Sequence, residues 1–458
     1  MRNGRNLFAG YGEGLAGVSY CERMCCVDRR QGRGLALETR CATLADRRQR
    51  RLAWFRRGWA ASCLALMVVT WKLWTPQTVF PQVPLLAIGL YLPAWLDWLA
   101  CTVAVGSLVG LLVLRSRRGV TVAGGLFSAA MLLLVLADQH RLQPWAYQSM
   151  ILAVVFATCS AADGLRWLRM LVISIYIFSA IGKFDYEFLH TLGQQFLSTL
   201  AGLCHLPDQF WSPTFRLALA ALFPLGELLI GLGLSWRRTR RFAVGVAVAM
   251  HGLLLLVLGP WGLNHQAGVL LWNVFFVFQA VLLFWPIRPP AADASEAALP
   301  PRTRWSLLGK CVVSAAVILP CFEWFDRYDH WLAWGLYSPR NSRVLCFLDE
   351  QLADQLPEPL RQHLQVSQED LAILRLRIDD WSLETLGCPI YPQDRFQVGV
   401  ALSVWERHGL GDGMVVERRG AANRWTGQRA SSRYRGQEAL QQLSGQFFFN
   451  AVPRRQGE

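Results

Sequence analysis

Long apolar blocks and short polar segments alternate along this chain. About nine apolar stretches between Trp59 and Cys321 are long enough to cross a membrane, which takes roughly 20 mostly apolar residues. Such segments form helices because an unpaired backbone N–H or C=O group is costly in hydrocarbon. The predicted spans are residues 57–75, 92–114, 119–137, 145–162, 167–182, 214–235, 241–259, 267–286 and 305–322. The expected architecture is therefore an all-α, polytopic membrane helix bundle.

The polar segments between the spans are of two kinds, which alternate. One kind is rich in arginine and comprises residues 47–57, 115–118, 166–169, 236–241 and 287–304. The other kind has few arginines but carries Gln, His, Asp, Trp and Pro, and comprises residues 75–84, 138–145, 183–196 and 259–266. Arg and Lys are retained in cytoplasmic loops. We therefore expect an integral protein of the plasma or inner membrane, with a cytoplasmic N-terminus and an extracytoplasmic C-terminus.

The charge distribution favours a membrane protein over a nucleic-acid-binding protein. The net charge is +14, and the chain has 20 tryptophans. The arginines flank the spans instead of forming one basic domain, and many tryptophans lie at span ends, where amphipathic rings favour the interface. Membrane lipid is the expected partner, and nucleic acid is not.

Composition divides the chain into three regions. Residues 1–56 form a polar, Arg-rich tail that we expect to be cytoplasmic and poorly ordered, without the apolar core of a cleaved signal. No metal is predicted there, because the paired spacing of zinc ligands is missing from its cysteines, Cys21, Cys25, Cys26 and Cys41. Residues 57–322 form the helix bundle, and residues 323–458 follow the last span.

Residues 323–458 contain no predicted span and mix helix-like with strand-like patterns. We predict a small extracytoplasmic α+β domain, with helices at 349–365 and 436–444 and strands at 371–378 and 396–405. Such a domain could recognise an extracytoplasmic protein partner. Cys346 and Cys388 would lie in an oxidising compartment, and the sequence allows either a disulfide between them or two free thiols.

Three ionisable residues within or at the ends of spans are candidates for function, because a buried charge is costly unless it is paired or solvated. Lys183 closes the fifth span, where it either extends to the headgroups opposite Asp185 or acts as a base or anion contact against an apolar wall. Glu227 and His251 lie deep in consecutive spans with small neighbouring residues. We predict that these two side chains contact each other.

The polar residues of the predicted outer segments add further candidates. Asp138 and His140 follow the third span, and His265 precedes the eighth. Together with Lys183 and Asp185 they place most of the unusual polar groups on one side of the membrane. A hollow that opens outward is the simplest common explanation.

One segment also resembles a known family. The stretch YIFSAIGKFDYEFLHTLGQQF at 176–196 is similar to the HTTM membrane domain, the module of vitamin K-dependent gamma-carboxylase and its bacterial relatives. In that family a span ends in a small-residue turn, a lysine and an acidic and aromatic segment. Residues 138–150 resemble the polar segment before the next span, and residues 226–273 resemble both HTTM proteins and the shorter DoxX/MauE-like membrane proteins. The resemblance covers about residues 57–285.

The resemblance carries functional expectations. In a gamma-carboxylase-like protein the matching Lys183 would be the base that deprotonates reduced vitamin K. The chain has no counterpart of the carboxylase's propeptide- and glutamate-binding regions, so the more modest implication is an outward-facing site for a quinone-like or other lipid-soluble ligand. Two other functions stay open. A DoxX/MauE-like accessory protein would support redox maturation of its partners without catalytic residues, and a transporter or scaffold would use Glu227 for proton-coupled flux or the outer domain for recognition.

The predicted topology can be tested with fusions to a reporter that is active only outside the cytoplasm. The reporter should be active after Glu458, which follows an odd number of predicted spans, and silent after Arg117, which follows an even number. Immunoblotting checks that both fusions are expressed. Cytoplasmic behaviour of the Glu458 fusion would contradict the predicted orientation.

Overall fold

The computed structural model describes residues 34–286, 304–367 and 372–455, and it consists of a helix bundle followed by a domain with one β-sheet. The bundle helices are α1 (Gly34–Val69), α2 (Trp71–Trp74), α3 (Ala94–Val113), α4 (Arg117–Ala137), α5 (Pro144–Thr158), α6 (Ala161–Lys183), α7 (Tyr186–His190), α8 (Leu192–Leu203), α9 (Pro213–Ser235), α10 (Arg240–Leu258), α11 (Ala267–Phe284) and α12 (Arg304–Ile318).

Among the described residues, eight helical segments are long and apolar enough to cross a membrane, in agreement with the expected multi-pass helix bundle. They are Ala45–Val69, Ala94–Val113, Arg117–Ala137, Ala161–Lys183, Pro213–Ser235, Arg240–Leu258, Ala267–Phe284 and Trp305–Phe325. The last segment continues α12 through a 3₁₀ turn at Leu319–Phe325. Residues 34–56 of the predicted tail are helical and belong to α1. Three of the tail cysteines, Cys21, Cys25 and Cys26, lie outside the described residues.

Helix α5 is shorter than the eight segments that are long enough to cross a membrane. Its 15 residues extend for about 22 Å, less than the roughly 30 Å of a hydrocarbon core. Most of its side chains are buried by other helices, and its polar groups pair inside the bundle. Gln148 Nε2 donates to Gln279 Oε1 (3.0 Å), and Trp59 Nε1 donates to Ser149 Oγ (3.2 Å). The predicted total of about nine spans therefore stays a prediction.

Four of the arginine-rich segments, residues 47–57, 115–118, 166–169 and 236–241, come together at one end of the bundle. Arg117 Nη1 donates to Phe156 O (2.7 Å), and Arg56 Nη2 donates to Leu114 O (2.8 Å). These guanidinium groups satisfy carbonyls at helix C-termini that have no partner within their own helix. The grouping of the basic segments on one side is thus consistent with the fold.

The other four polar segments lie at the opposite end, against the part of the chain that follows Phe325, here called the C-terminal domain. Gln139 Nε2 donates to Asn450 O (2.7 Å), and the backbone N–H of Tyr186 donates to Arg424 O (2.7 Å). The ring of His265 lies 6.2 Å from the ring of Tyr337. The bundle and the C-terminal domain therefore share an extensive polar junction.

The C-terminal domain contains a five-stranded antiparallel sheet in the order β2–β3–β1–β4–β5. Its elements are β1 (Arg343–Asp349), α13 (Glu358–Arg361), β2 (Leu364–Val366), β3 (Ile373–Leu376), α14 (Ile378–Leu386), α15 (Asp394–His408), β4 (Met414–Arg419), β5 (Ser431–Arg435) and α16 (Gly436–Ser444). The predicted helix at 436–444 is confirmed. The predicted strand at 371–378 is confirmed at its centre, which is β3.

Two of the predicted elements in this domain are wrong. Residues 396–405 form a helix within α15, not a strand, because a helix buried on all sides gives a continuous apolar run that periodicity cannot distinguish from a strand. Residues 349–365 do not form one helix: a 3₁₀ turn at Glu350–Gln355 ends before Pro357, and α13 is short. Cys346 and Cys388 are both buried and free, so the structure contains no disulfide between them.

A buried charge cluster holds the junction together. Asp97 of α3 accepts hydrogen bonds from Arg141 and, at 2.9 Å, from Arg454 Nη1. Arg141 Nε also donates to Leu73 O (2.8 Å). All three charged side chains are almost completely inaccessible to solvent. The C-terminal segment is thereby bound to the helix bundle by ionic contacts.

Asp97→Ala should therefore be strongly destabilising. It leaves two arginines buried without their shared counter-ion, a change that typically costs about 3–5 kcal/mol. Unfolding of the detergent-solubilised protein would measure the loss. The control is Asp46→Ala, which breaks an exposed pair with Arg50 (2.6 Å) and should change stability by less than about 1 kcal/mol. Equal effects of the two substitutions would contradict the role of the cluster.

Candidate functional site

A cavity of about 390 Å³ lies between α6, α9, α10 and α11. Its walls are mainly apolar side chains of these helices, including Ile175, Phe223, Leu254 and Phe276. A small number of polar groups also face it: Tyr176, Ser179, Lys183, Glu227, His251, Asn273 and Tyr337. An apolar pocket with a few convergent polar groups is typical of sites for small, mostly apolar ligands.

Helix α6 supplies one polar row of this cavity. Tyr176, Ser179 and Lys183 are spaced three and four residues apart, so they lie on one face of the helix. The helix ends at Lys183, and this last turn reaches the end of the bundle that contacts the C-terminal domain. The spacing therefore places the lysine and the tyrosine on the same wall.

Lys183 forms an ion pair inside the bundle. Its Nζ donates to Glu227 Oε1 (2.9 Å) and Oε2 (2.7 Å), and to Ser179 Oγ (2.6 Å). The lysine side chain is only 3% exposed, so the expectation that it extends to the headgroups is wrong. Asp185 has other partners: it accepts from the Phe188 backbone N–H (2.7 Å) and from Ser338 Oγ (3.3 Å), which makes it the N-cap of α7.

Close packing of α9 against α6 lets Glu227 reach Lys183. Gly231 lies one turn after Glu227, and a Cβ atom at this position would approach Ile177 Cγ1 to 2.9 Å. A larger residue would push the two helices apart. Gly226, by contrast, faces open space where an added Cβ would meet no atom within 4 Å. One glycine therefore permits the ion pair, and the other leaves room in the cavity beside it.

His251 does not pair with Glu227 as predicted. Its Nδ1 lies 2.9 Å from Asn273 Oδ1, and its Nε2 lies 2.8 Å from the Tyr176 hydroxyl. Asn273 Nδ2 donates to Val269 O (3.0 Å), so Oδ1 is the acceptor and Nδ1 carries the proton. Nε2 then accepts from Tyr176. The histidine is neutral in this arrangement, with both ring nitrogens satisfied.

The cavity is open on one side and closed at one end. Leu222 of α9 and Ala249 of α10 line it and are also exposed on the outer surface of the bundle, so the opening lies between these two helices. Tyr337 of the C-terminal domain closes the end near Lys183, with its ring 5.6 Å from that of Phe196. The cavity therefore opens onto the outer surface of the bundle.

The remaining predicted residues lie outside the cavity. Asp138 caps a 3₁₀ turn, accepting from the His140 backbone N–H (3.1 Å), and His140 Nε2 lies 3.1 Å from Pro389 O. Burial raises the pKa of Asp138 to about 7 and lowers that of His140 to about 4. Both belong to the junction with the C-terminal domain. His265 is half-buried beside Tyr337, and burial lowers its pKa.

Sequence analysis missed Tyr176, Ser179, Asn273 and Tyr337. The helical spacing from Lys183 could have identified the first two, whereas the other two come from distant segments and give no local signal. Among the described residues, no group of three or more His, Cys, Asp or Glu side chains could hold a metal ion. Comparison with protein families, curated proteins and solved structures finds no match to this chain.

A double-mutant cycle should show that Lys183 and Glu227 are coupled. Lys183→Met or Glu227→Gln alone leaves the other group without its partner, so the double variant should lose less stability than the sum. Residues in contact typically have coupling energies of about 0.5–3 kcal/mol, and we expect a value near the upper end for this pair when the free energy of unfolding is measured in detergent. The matched cycle of Glu227→Gln with His251→Leu should give less than about 0.5 kcal/mol, since these side chains share no hydrogen bond. The reverse ranking would contradict the observed pairing.

Proposed function

We propose that this multi-pass membrane protein, of the HTTM or gamma-carboxylase-like group, binds a quinone-like, lipid-soluble ligand in the cavity between α6, α9, α10 and α11. The observation that carries the proposal is the Lys183–Glu227 ion pair on the wall of an apolar cavity that opens between α9 and α10. A purely structural ion pair would not need empty space beside it, and Gly226 leaves that space open.

The chemistry of the polar groups matches such a ligand. The Lys183 ammonium can donate a hydrogen bond to a quinone carbonyl oxygen, and the Glu227 carboxylate can accept one from a hydroquinone hydroxyl group. The apolar walls suit a ring and a hydrocarbon side chain. A ligand that enters between α9 and α10 stays in contact with hydrocarbon on its way from the bilayer.

The ion pair also constrains the expected role of Lys183 as a base. In the ion-paired state its Nζ only donates hydrogen bonds and cannot accept a proton. The Glu227 carboxylate is then the group that can accept a proton directly. Lys183 becomes a base only after its own proton has passed to Glu227. Proton transfer from a ligand to Lys183 therefore involves both residues.

Mass spectrometry of lipids that co-purify with the detergent-extracted protein tests the proposal. We expect a quinone-like species with the natural sequence, and we expect Gly226→Leu to remove most of it by filling the cavity. The control is Gly125→Leu on α4, where an added side chain also meets open space but lies outside the cavity. Both changes exchange a helical glycine for leucine, so their effects on helix propensity match.

Further variants of the ion pair separate the possible outcomes. Glu227→Gln and Lys183→Arg should each weaken ligand retention, since the first replaces a charged acceptor by a neutral amide and the second replaces a compact ammonium by a larger guanidinium. Retention of the same lipid by Gly226→Leu would contradict the site. If no lipid co-purifies and none binds when quinone is added in nanodiscs, the accessory function without a ligand is favoured instead.

A further inference from the structure

A second cavity lies between the C-terminal domain and the loop that follows α2, away from the ion pair. Its volume is about 290 Å³, and it is bounded by the loop after α2, the turn before α13, and helices α14 and α15. Apolar surfaces of Pro81, Pro357, Pro359 and Leu360 form much of its wall. This is close to the lower size limit of sites that hold small organic ligands, which is about 300 Å³.

Two basic side chains lie at one side of this cavity. Arg407, which is exposed, and His408, whose pKa is lowered by burial, end α15 and line it. No hydrogen bond or ion pair of either side chain is found within the described part of the chain. Cations favour the carbonyl end of a helix, which explains the presence of Arg407 on α15. None of the residues that line the cavity is an aspartate or glutamate, so none of them neutralises the charge of Arg407.

A buried donor lines the same cavity. Trp381 of α14 is 1% exposed, and its indole Nε1–H has no hydrogen-bond partner among the described residues. An unsatisfied buried donor typically costs about 1–3 kcal/mol, and an acceptor on a ligand would remove that cost. The cavity therefore combines apolar walls, the Arg407 guanidinium group, the His408 imidazole and a donor without an acceptor.

We propose that this cavity binds a small apolar carboxylate. The carboxylate would pair with Arg407 and accept hydrogen bonds from His408 and from Trp381 Nε1, and the apolar part would lie against the prolines. A neutral apolar molecule would leave Arg407 and Trp381 Nε1 without an acceptor, and an inorganic anion would leave the apolar walls uncovered. The site is separate from the quinone-like site in the bundle and does not depend on it.

Titration calorimetry on the full chain in nanodiscs tests this with 3-phenylpropanoate as the probe and empty nanodiscs as the blank. We expect saturable binding that is about tenfold weaker or more in Arg407→Gln, because a charge-assisted hydrogen bond is lost. The control is Arg327→Gln, an exposed arginine outside the cavity. A second pair of variants tests the position of the site. Thr78→Trp should abolish binding because Thr78 lines the cavity, and Gln77→Trp should not because Gln77 does not line it.

Comparison ligands decide the chemistry. The alcohol 3-phenylpropan-1-ol and inorganic phosphate should each bind much more weakly than 3-phenylpropanoate. Equal binding of the alcohol would overturn the role of Arg407, and equal binding of phosphate would overturn the role of the apolar walls. Absence of saturable binding, or binding that neither Arg407→Gln nor Thr78→Trp weakens, would overturn the site. Gly226→Leu should bind the probe normally, which keeps this result independent of the bundle cavity.

Discussion

A charge buried among apolar helices persists only beside a partner, because its desolvation is not otherwise compensated. Two such pairings organise this protein. Asp97 brings Arg141 and Arg454 to one point, and Lys183 brings α9 against α6 through Glu227. Each pairing joins segments that are far apart in sequence. The ionic contacts therefore specify which helices and loops meet, while apolar burial alone would permit several arrangements.

The bundle and the C-terminal domain depend on each other in this arrangement. Ser338 Oγ donates to Gly182 O (2.7 Å), next to Lys183, and Tyr337 closes the cavity. Arg395 forms an ion pair with Asp329 and donates to Gln139 Oε1 (2.7 Å). Changes in the C-terminal domain can thus reach the ion pair through the backbone at the end of α6, without any contact to a ligand.

The sequence was most informative where one physical constraint dominated. A membrane-spanning helix must match the thickness of the hydrocarbon core and pair its own backbone N–H and C=O groups, so a long apolar run is a reliable sign of one. The helices between Ala94 and Phe284 lie close to where they were predicted. Arginine placement separated the polar segments into two groups, and the members that the structure describes lie at opposite ends of the bundle. Predictions failed where burial removed the pattern, as in α15, whose faces are all covered.

Pairing partners could not be predicted from one chain alone. Glu227 and His251 both sit deep in consecutive helices, yet Glu227 turns to α6 and His251 to α11. The rotation of each helix about its own axis determines which neighbouring helix its polar side chain contacts. That rotation depends on packing at positions such as Gly231. Similarly, nothing near Lys183 in the sequence indicates that Tyr337, more than 150 residues later, closes the same cavity.

The Asp97–Arg454 contact also sets an order of events during synthesis. The two residues are 357 positions apart. At typical elongation rates of 5–20 residues per second, roughly 20 to 70 s pass before Arg454 follows Asp97 out of the ribosome. Until then Arg141 is the counter-ion available to Asp97, and the end of the bundle that receives Arg454 remains open. Until its C-terminal segment docks, the nascent protein therefore lacks the second of the two arginines that pair with Asp97.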